Sequence, residues 1–402
     1  MTDDIGAPPP PAEPRWLTDL LAGEDRGAAI VRLWDSLESA PVLGESRDGL
    51  TEVTFLRRQQ REEVEVLVHV NGITDALRDD VTPALLARVP GTDLWHLSWW
   101  LPTAGTWGYR FVEMPRIPRD AGASHEGWLA IHQAGRLDPL NPSWQPHALG
   151  DASSLLVLPE AYQHPAWPRV PFTAQAYTHV EIEVFDGESR GVHVWSRSPA
   201  VPDAVLVLFD GEQWAGMGLA DAVAAARLPV DLVLVDSVDF PTRARDLTDP
   251  GRAAMLVEAA LEAHRRSTGH RPDAERTVVA GQSYGGLAAA SVVVTRPDLV
   301  RTAVVQSGSF WFRRGVRPTR DATAPGDLTT AVRGGVHDLA GVRIVLQADT
   351  DEGTMVAQAE MFTDAACEAG ATADLVVVNG GHDYAWWKHH LLRAVEELLG
   401  ER

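Results

Sequence analysis

The sequence predicts an α/β protein in which a small antiparallel β domain precedes a doubly covered, largely parallel sheet. Three observations carry this expectation. Stretches alternating apolar with polar residues fill Gly49 to Phe111, continuous apolar strands alternate with helix-period runs from Thr178 onward, and a proline-interrupted stretch separates the two rhythms.

In chain order, residues 1–14 are acidic and proline-rich and read as a disordered tail. Helix-period segments follow at Trp16 to Leu21 and Ala28 to Leu37, with Ile30, Leu33, Trp34 and Leu37 on one face. Alternation then begins: Val53 and Phe55, the series Val64, Val66, Val68 and Val70, the aromatic run Trp95 to Trp100, and Tyr109 to Phe111. Asn71-Gly72 and Pro102 to Gly105 supply turns. Residues 15–150 are therefore expected to form a helical segment plus an antiparallel β-sandwich. Trp95, His96, Trp99, Trp100 and Trp107 crowd this domain, as core or as a platform for flat rings, and core packing is the simpler account. Residues 151–175 read as a linker and 176–402 as the α/β domain.

In that second domain, Val180 to Phe185 and Gly191 to Ser196 alternate around Asp186-Gly187 as a hairpin. Buried strands are expected at Ala204 to Phe209, Leu232 to Val235, Thr277 to Ala280, Ala303 to Gln306, Arg343 to Gln347 and Leu375 to Val378. Helices are expected at Leu219 to Ala226, Ala253 to Arg266, Gly285 to Val294, Met355 to Ala369 and Ala385 to Leu399. In such sheets chemistry gathers at the strand C-termini.

Composition narrows the function classes. The 402 residues are 45% hydrophobic and 23% charged, with a net charge of −21. That balance suits a soluble globular protein and argues against nucleic acid or anionic membrane as partner. An anionic small substrate would need a locally basic pocket. Cys367 is the single cysteine, a structural thiol in a reducing compartment. With no apolar export core near Met1, the expected location is the cytoplasm.

The chemical signal is Thr277-Val-Val-Ala-Gly-Gln-Ser-Tyr-Gly-Gly-Leu, a strand, a Gly-x-Ser-x-Gly turn and a small-residue helix in succession. This is the nucleophile elbow of an α/β-hydrolase, with Ser283 at its tip. A serine hydroxyl needs a base. Of 14 histidines, His382 in Asn379-Gly-Gly-His-Asp383 lies between the last strand and the terminal helix, where that fold places its histidine. His389 and His390 read as surface positions of a helix, and His264 and His270 precede the serine. The acid is sought in Asp349-Thr-Asp-Glu352: Glu352 first, then Asp351 or Asp349, with Asp383 an outside candidate. Oxyanion donors are expected from the amides of Tyr284 and, in Asp210-Gly-Glu-Gln-Trp214, of Glu212. Arg243 and Arg245 are candidate anion clamps or surface partners of Asp246 and Asp249. Ser307 to Phe312 adds an aromatic wall. No Walker A loop, cysteine pair, His-Glu-x-x-His or Gly-x-Gly-x-x-Gly is present, so no bound cofactor or metal is expected.

The ordered motifs together resemble the enterochelin (ferric enterobactin) esterases, within the esterase D group of α/β-hydrolases. His69-Val-Asn-Gly-Ile-Thr-Asp75, Gly91-Thr-Asp-Leu-Trp-His96 and Asp138-Pro-Leu-Asn-Pro142 are similar to that family's N-terminal domain. Asp210-Gly-Glu-Gln-Trp214, Arg243-Ala-Arg-Asp-Leu247, the elbow, Gln306-Ser-Gly-Ser-Phe-Trp311 and Gly380-Gly-His-Asp383 are similar to its catalytic domain. The resemblance implies Ser283 as nucleophile, His382 as base and Glu352 at the acidic position. It implies cleavage of a cyclic trilactone of dihydroxybenzoylserine, with a ferric catecholate siderophore as the partner molecule and iron as cargo. Arg243 would meet the ligand's charge, and Trp95, Trp214 and Trp311 would line apolar surface. Asp246 shortens a usual glutamate, and the stretch from Gly315 to Val336 diverges. The alternatives are another acyl ester (feruloyl, glycosyl or thioester) as substrate, or a non-catalytic siderophore-binding protein. The oligomeric state is left open.

Overall fold

The computed structural model describes residues 7–61, 63–147, 150–167, 177–185, 187–197, 202–316 and 323–400. Two compact units divide the chain, Met1–Gln163 with Asn379–Trp386, and His164–Val378 with Trp387–Arg402.

The first unit opens on helices α1 (Arg15–Ala22) and α2 (Arg26–Ser36), whose Leu17 and Ile30 share a small core with Leu56, Val89 and Leu94. Its strands are β1 (Val42–Arg47), β2 (Leu50–Arg58), β3 (Glu65–Val70), β4 (Ala87–Arg88), β5 (Leu94–Pro102), β6 (Thr106–Met114), β7 (Gly135–Arg136), β8 (Trp144–His147) and β9 (Gly150–Val157). Helices α3 (Ile73–Ala76) and α4 (His125–Ala134) complete it. Two antiparallel sheets, β1-β2-β5-β4 and β3-β6-β9-β8 with β7 beside β6, bury a shared core. Phe55 of one sheet meets Tyr109 of the other edge-on at 5.4 Å. The expected sandwich is present.

Three details depart from the sequence reading. Pro10 and Ala12 pair with β5, through Trp100 N to Pro10 O (2.9 Å) and Ala12 N to Ser98 O (3.0 Å), so this part of the tail is a structured edge. The two-residue β4 reaches only His96 and Trp95, which leaves the end of β5 available. Residues 150–157 are strand β9 rather than linker; residues 168–175, residues 1–6 and Asp186 of the hairpin turn lie outside the described residues. Finally, β3 is buried on both faces, because α4 sets Trp128 and His132 against His69. Alternation alone suggested a solvated face.

The second unit is an eight-stranded sheet in the order β10-β11-β13-β12-β14-β15-β16-β17. The strands are β10 (Thr178–Phe185), β11 (Glu188–Trp195), β12 (Ala204–Phe209), β13 (Val230–Val235), β14 (Thr277–Gln282), β15 (Thr302–Gln306), β16 (Arg343–Asp349) and β17 (Thr372–Val378). The first three positions pair antiparallel and the rest parallel. Every residue of β12, β13 and β14 is buried, as continuous apolar runs require when helices cover both faces. The helices are α5 (Gly211–Met217), α6 (Leu219–Ala226), α7 (Phe240–Leu247), α8 (Pro250–Thr268), α9 (Tyr284–Thr295), α10 (Asp327–Arg333), α11 (Met355–Glu368) and α12 (Tyr384–Gly400). Strand order reverses between β12 and β14, so the crevice beyond their C-termini is where a ligand is expected in such sheets.

Candidate active site

Ser283 leaves the end of β14 with φ 58° and ψ −119°, a conformation that side chains other than glycine rarely adopt. The strain is held from both sides. Ser283 N donates to Gln306 O (3.1 Å), and Ser283 O accepts from Ser309 N (3.1 Å) and Leu287 N (3.0 Å). Gly281 is obligatory here, because a Cβ on it would collide with the backbone of Gly285. Ser283 is thus the residue before the twelve-residue helix α9, whose first amides are unpaired within the helix. Ser283 is partly exposed.

Beneath the elbow runs a buried row of amides that the sequence reading missed. Trp214 Nε1 donates to Gln282 Oε1 (3.1 Å), Gln282 Nε2 to Gln306 Oε1 (2.8 Å), and Gln306 Nε2 to Gln347 Oε1 (2.7 Å). Gln306 Nε2 also donates to Trp387 O and Gln347 Nε2 to His390 O, which ties α12 to the row. Three neighbouring strand ends are locked in register. The available signal was a glutamine at or near the C-terminus of each of three consecutive predicted strands.

Trp214 consequently offers no face to a ligand: its side chain is fully buried and its indole nitrogen is committed to Gln282. The expectation that it lines substrate is corrected. Trp95 is corrected likewise, being packed in the sandwich core with Nε1 donating to Gln59 O (3.2 Å). Trp311 stays partly exposed, 6.0 Å from the Tyr284 ring, with Phe312 at 6.1 Å from the same ring. Phe240 lies 6.4 Å from Tyr284 and is 62% exposed. It was not singled out from the sequence. Phe240 follows a γ-turn in which Asp239 N donates to Ser237 O (2.8 Å) around Val238, whose φ is 68°.

The segment expected to hold the second oxyanion donor is a short helix, α5, where a loop was expected; glycines at 211 and 216 hide it. Asp210 precedes it in the left-handed region and accepts a two-pronged contact from Arg243, Nε to Oδ1 at 2.6 Å and Nη2 to Oδ2 at 2.8 Å. Arg243 Nη2 also donates to Gln282 O (3.1 Å), and Ser237 Oγ to Asp210 Oδ1 (2.5 Å). The guanidinium therefore fixes the ends of β12 and β14 together, and the buried carboxylate beside it offsets its charge. Arg243 thus has a positioning role, and its guanidinium, 5.7 Å from the Tyr284 ring, remains partly exposed. Arg245 is corrected as well: it pairs with Glu188 (2.5 Å) and Asp246 (3.1 Å) in a network shared with Arg190 and Arg252. Glu212 lies in the first turn of α5. Its side chain accepts from Ser237 N (3.0 Å), and burial pushes its carboxyl upward.

At the end of β16 the acidic loop closes on itself. Asp349 Oδ1 accepts from Asp351 N (2.7 Å), and Glu352 Oε2 accepts from Asp349 N (3.1 Å). His382 belongs to the other unit, in a turn between β17 and α12. That turn is built on the sandwich: Thr106 N donates to Asn379 O (3.0 Å), and a Cβ on Gly381, whose φ is 67°, would overlap Asn71 O. Asp383 is committed to structure, accepting from Gln145 Nε2 (2.6 Å) and Ala385 N (2.8 Å). His389 and His390 are buried rather than on the surface as expected, and burial pushes them down to about 2 and about 4.

The arrangement is that of an acyl-transfer elbow, with a strained serine at the N-terminus of a helix. Residues 52–167 match the family model described as enterochelin esterase, N-terminal, and residues 257–398 match the one described as putative esterase. The chain is 29% identical to the iron(III) enterobactin esterase of Escherichia coli O6:H1, over 91% of this chain and 95% of that one. It is 28% identical to the iron(III) salmochelin esterase of the same organism, over 93% and 94%. The structure of the enterobactin esterase of Shigella flexneri, solved in the presence of enterobactin, superposes with a TM-score of 0.78 at 26% identity, covering 92% of this chain and 98% of that one. Across almost its whole length the chain is similar to the enterochelin esterases. These matches make it a carboxylic ester hydrolase.

Proposed function

We propose that this chain hydrolyses the ester bonds of a ferric catecholate siderophore through an acyl-enzyme on Ser283, releasing iron in the cytoplasm. The observation that carries the proposal is the strained serine at the head of α9, in a chain alignable almost end to end with iron(III) enterobactin and salmochelin esterases. Ser283 Oγ attacks the ester carbonyl while its proton passes to His382, which Glu352 orients. The amides of Tyr284 and Glu212 hold the negative oxygen, the acyl C–O bond breaks, and the departing alcohol takes the proton. Water then attacks the acyl-enzyme by the same route and frees the acid. Iron enters only as part of the substrate. The aromatic rim of Tyr284, Phe240, Trp311 and Phe312 suits a flat catechol ring. Among the described residues no helix is long and apolar enough to cross a membrane.

The test is product analysis with ferric enterobactin beside simple aryl and thioester acyl donors. Release of dihydroxybenzoylserine, with kcat/KM well above that for the simple esters, supports the proposal. Turnover of the simple esters without cleavage of ferric enterobactin would assign a different substrate, and stoichiometric binding without product would make the chain a siderophore carrier.

A further inference from the structure

We infer that His179, His193 and Asp236 form a binding site for one divalent transition-metal ion of the zinc class. His179 on β10 and His193 on β11 are direct cross-strand partners, so their rings project from one face of the hairpin, with centroids 4.8 Å apart. Asp236 follows β13, the next strand of the sheet, and is anchored by its own N–H to Gly191 O (2.9 Å). His193 Nε2 lies 3.0 Å from Oδ1 and 3.2 Å from Oδ2 of that carboxylate, and His179 Nε2 lies 3.8 Å from Oδ2. All three donor atoms fall within 4.8 Å of one another. A tetrahedral zinc with bonds of about 2.0–2.1 Å spaces its donors by roughly 3.4 Å. The His193–Asp236 separation of 3.0 Å and the His179–Asp236 separation of 3.8 Å lie on either side of that spacing.

The site also has room. A Cβ on Gly191 would overlap Asp236 Oδ2 and crowd His179 Nε2, so glycine at this strand position keeps the space between the donors clear. A fourth position is open to water or to Glu181, whose Oε1 is 3.9 Å from His179 Nε2. The other grouping of this kind among the described residues, His69, Asp75 and His132, differs. Its carboxylate already accepts from Arg78, the Trp128 indole and Gly72 N, and Arg110 lies on His132, so cationic groups occupy it. At the proposed site the metal would sit one residue from Ser237, whose N–H and hydroxyl hold Glu212 and Asp210. An ion there is joined to the start of α5.

The experiment is titration of chelator-stripped, tag-free protein with Co2+ alone, read by calorimetry and by visible absorption. One equivalent is expected, with the d–d bands of a four- or five-coordinate nitrogen and oxygen site, displaced by Zn2+. His179→Ala, at an exposed position, should abolish the bands in a protein that remains folded by circular dichroism. Gly191→Ala removes no donor atom and should weaken binding roughly ten- to a hundredfold, as changes around metal ligands do. Wild-type protein that takes up no stoichiometric Co2+ would overturn the inference. So would bands that persist unchanged in His179→Ala.

Discussion

Arg243 and Asp210 stand 33 residues apart and meet in a two-pronged contact at the rim of the sheet. Removing the guanidinium leaves a nearly buried carboxylate without its partner, and breaking such pairs costs about 3–5 kcal/mol. Arg243→Ala is therefore expected to destabilise the fold by about that much in urea unfolding. A variant with native stability and only a raised KM would make Arg243 a ligand clamp without a positioning role. Trp95 gives the converse case. If it is core, Trp95→Ala lowers stability by about 3–5 kcal/mol with little selective change in KM; a normal midpoint with a raised KM would make it a platform. Ser283 was legible because the demand for a strand, a tight turn and a helix is local, and each part is written in adjacent residues. The surroundings of Arg245, Trp95 and Trp214 were not, since whether a charged or aromatic side chain faces ligand or neighbour is decided by residues distant in sequence.

Strands and helices were placed closely where burial on both faces makes a run continuously apolar, as in β12 (Ala204–Phe209), or where a helix is long, as in α12. Short helices with glycine, such as α5, read as loops because propensity is weak over seven residues. The glutamine row across β14, β15 and β16 is the element-scale device that supports the elbow. Gln306→Ala removes partners from both Gln282 and Gln347, and buried polar groups left unsatisfied cost about 1–3 kcal/mol each. Loss of stability on that scale, with Ser283 less reactive, is the expected outcome in parallel unfolding and activity assays; unchanged values would show that the row is dispensable. On α12, His389 Nδ1 accepts from His164 N (3.0 Å), which requires an unprotonated nitrogen, and burial keeps the ring's folded pKa far below its ordinary 6.5. The unfolded chain therefore binds a proton that the folded chain refuses. Stability from this group is complete above pH 6.5 and declines as pH falls below it. Denaturant midpoints for wild type and His389→Gln should converge on acidification, the wild type falling more steeply; parallel lines would contradict the assignment.

For the whole molecule, the order of domains and the α/β sheet with its preceding sandwich were readable from the change in hydrophobic rhythm. The boundary was not. Strand β9 extends the sandwich into the stretch read as linker, and residues 379–386, which carry His382, group with the sandwich although β17 before them belongs to the sheet. A chain that leaves one unit, builds a histidine turn on the other and returns cannot be inferred from local patterns. The account as a whole rests on Ser283 being the nucleophile. The most direct measurement is release of dihydroxybenzoylserine from ferric enterobactin by Ser283→Ala, with circular dichroism to show that the variant is folded. The rate should fall by about 10⁴-fold or more relative to wild type. A folded Ser283→Ala protein that releases product at the wild-type rate would contradict the account.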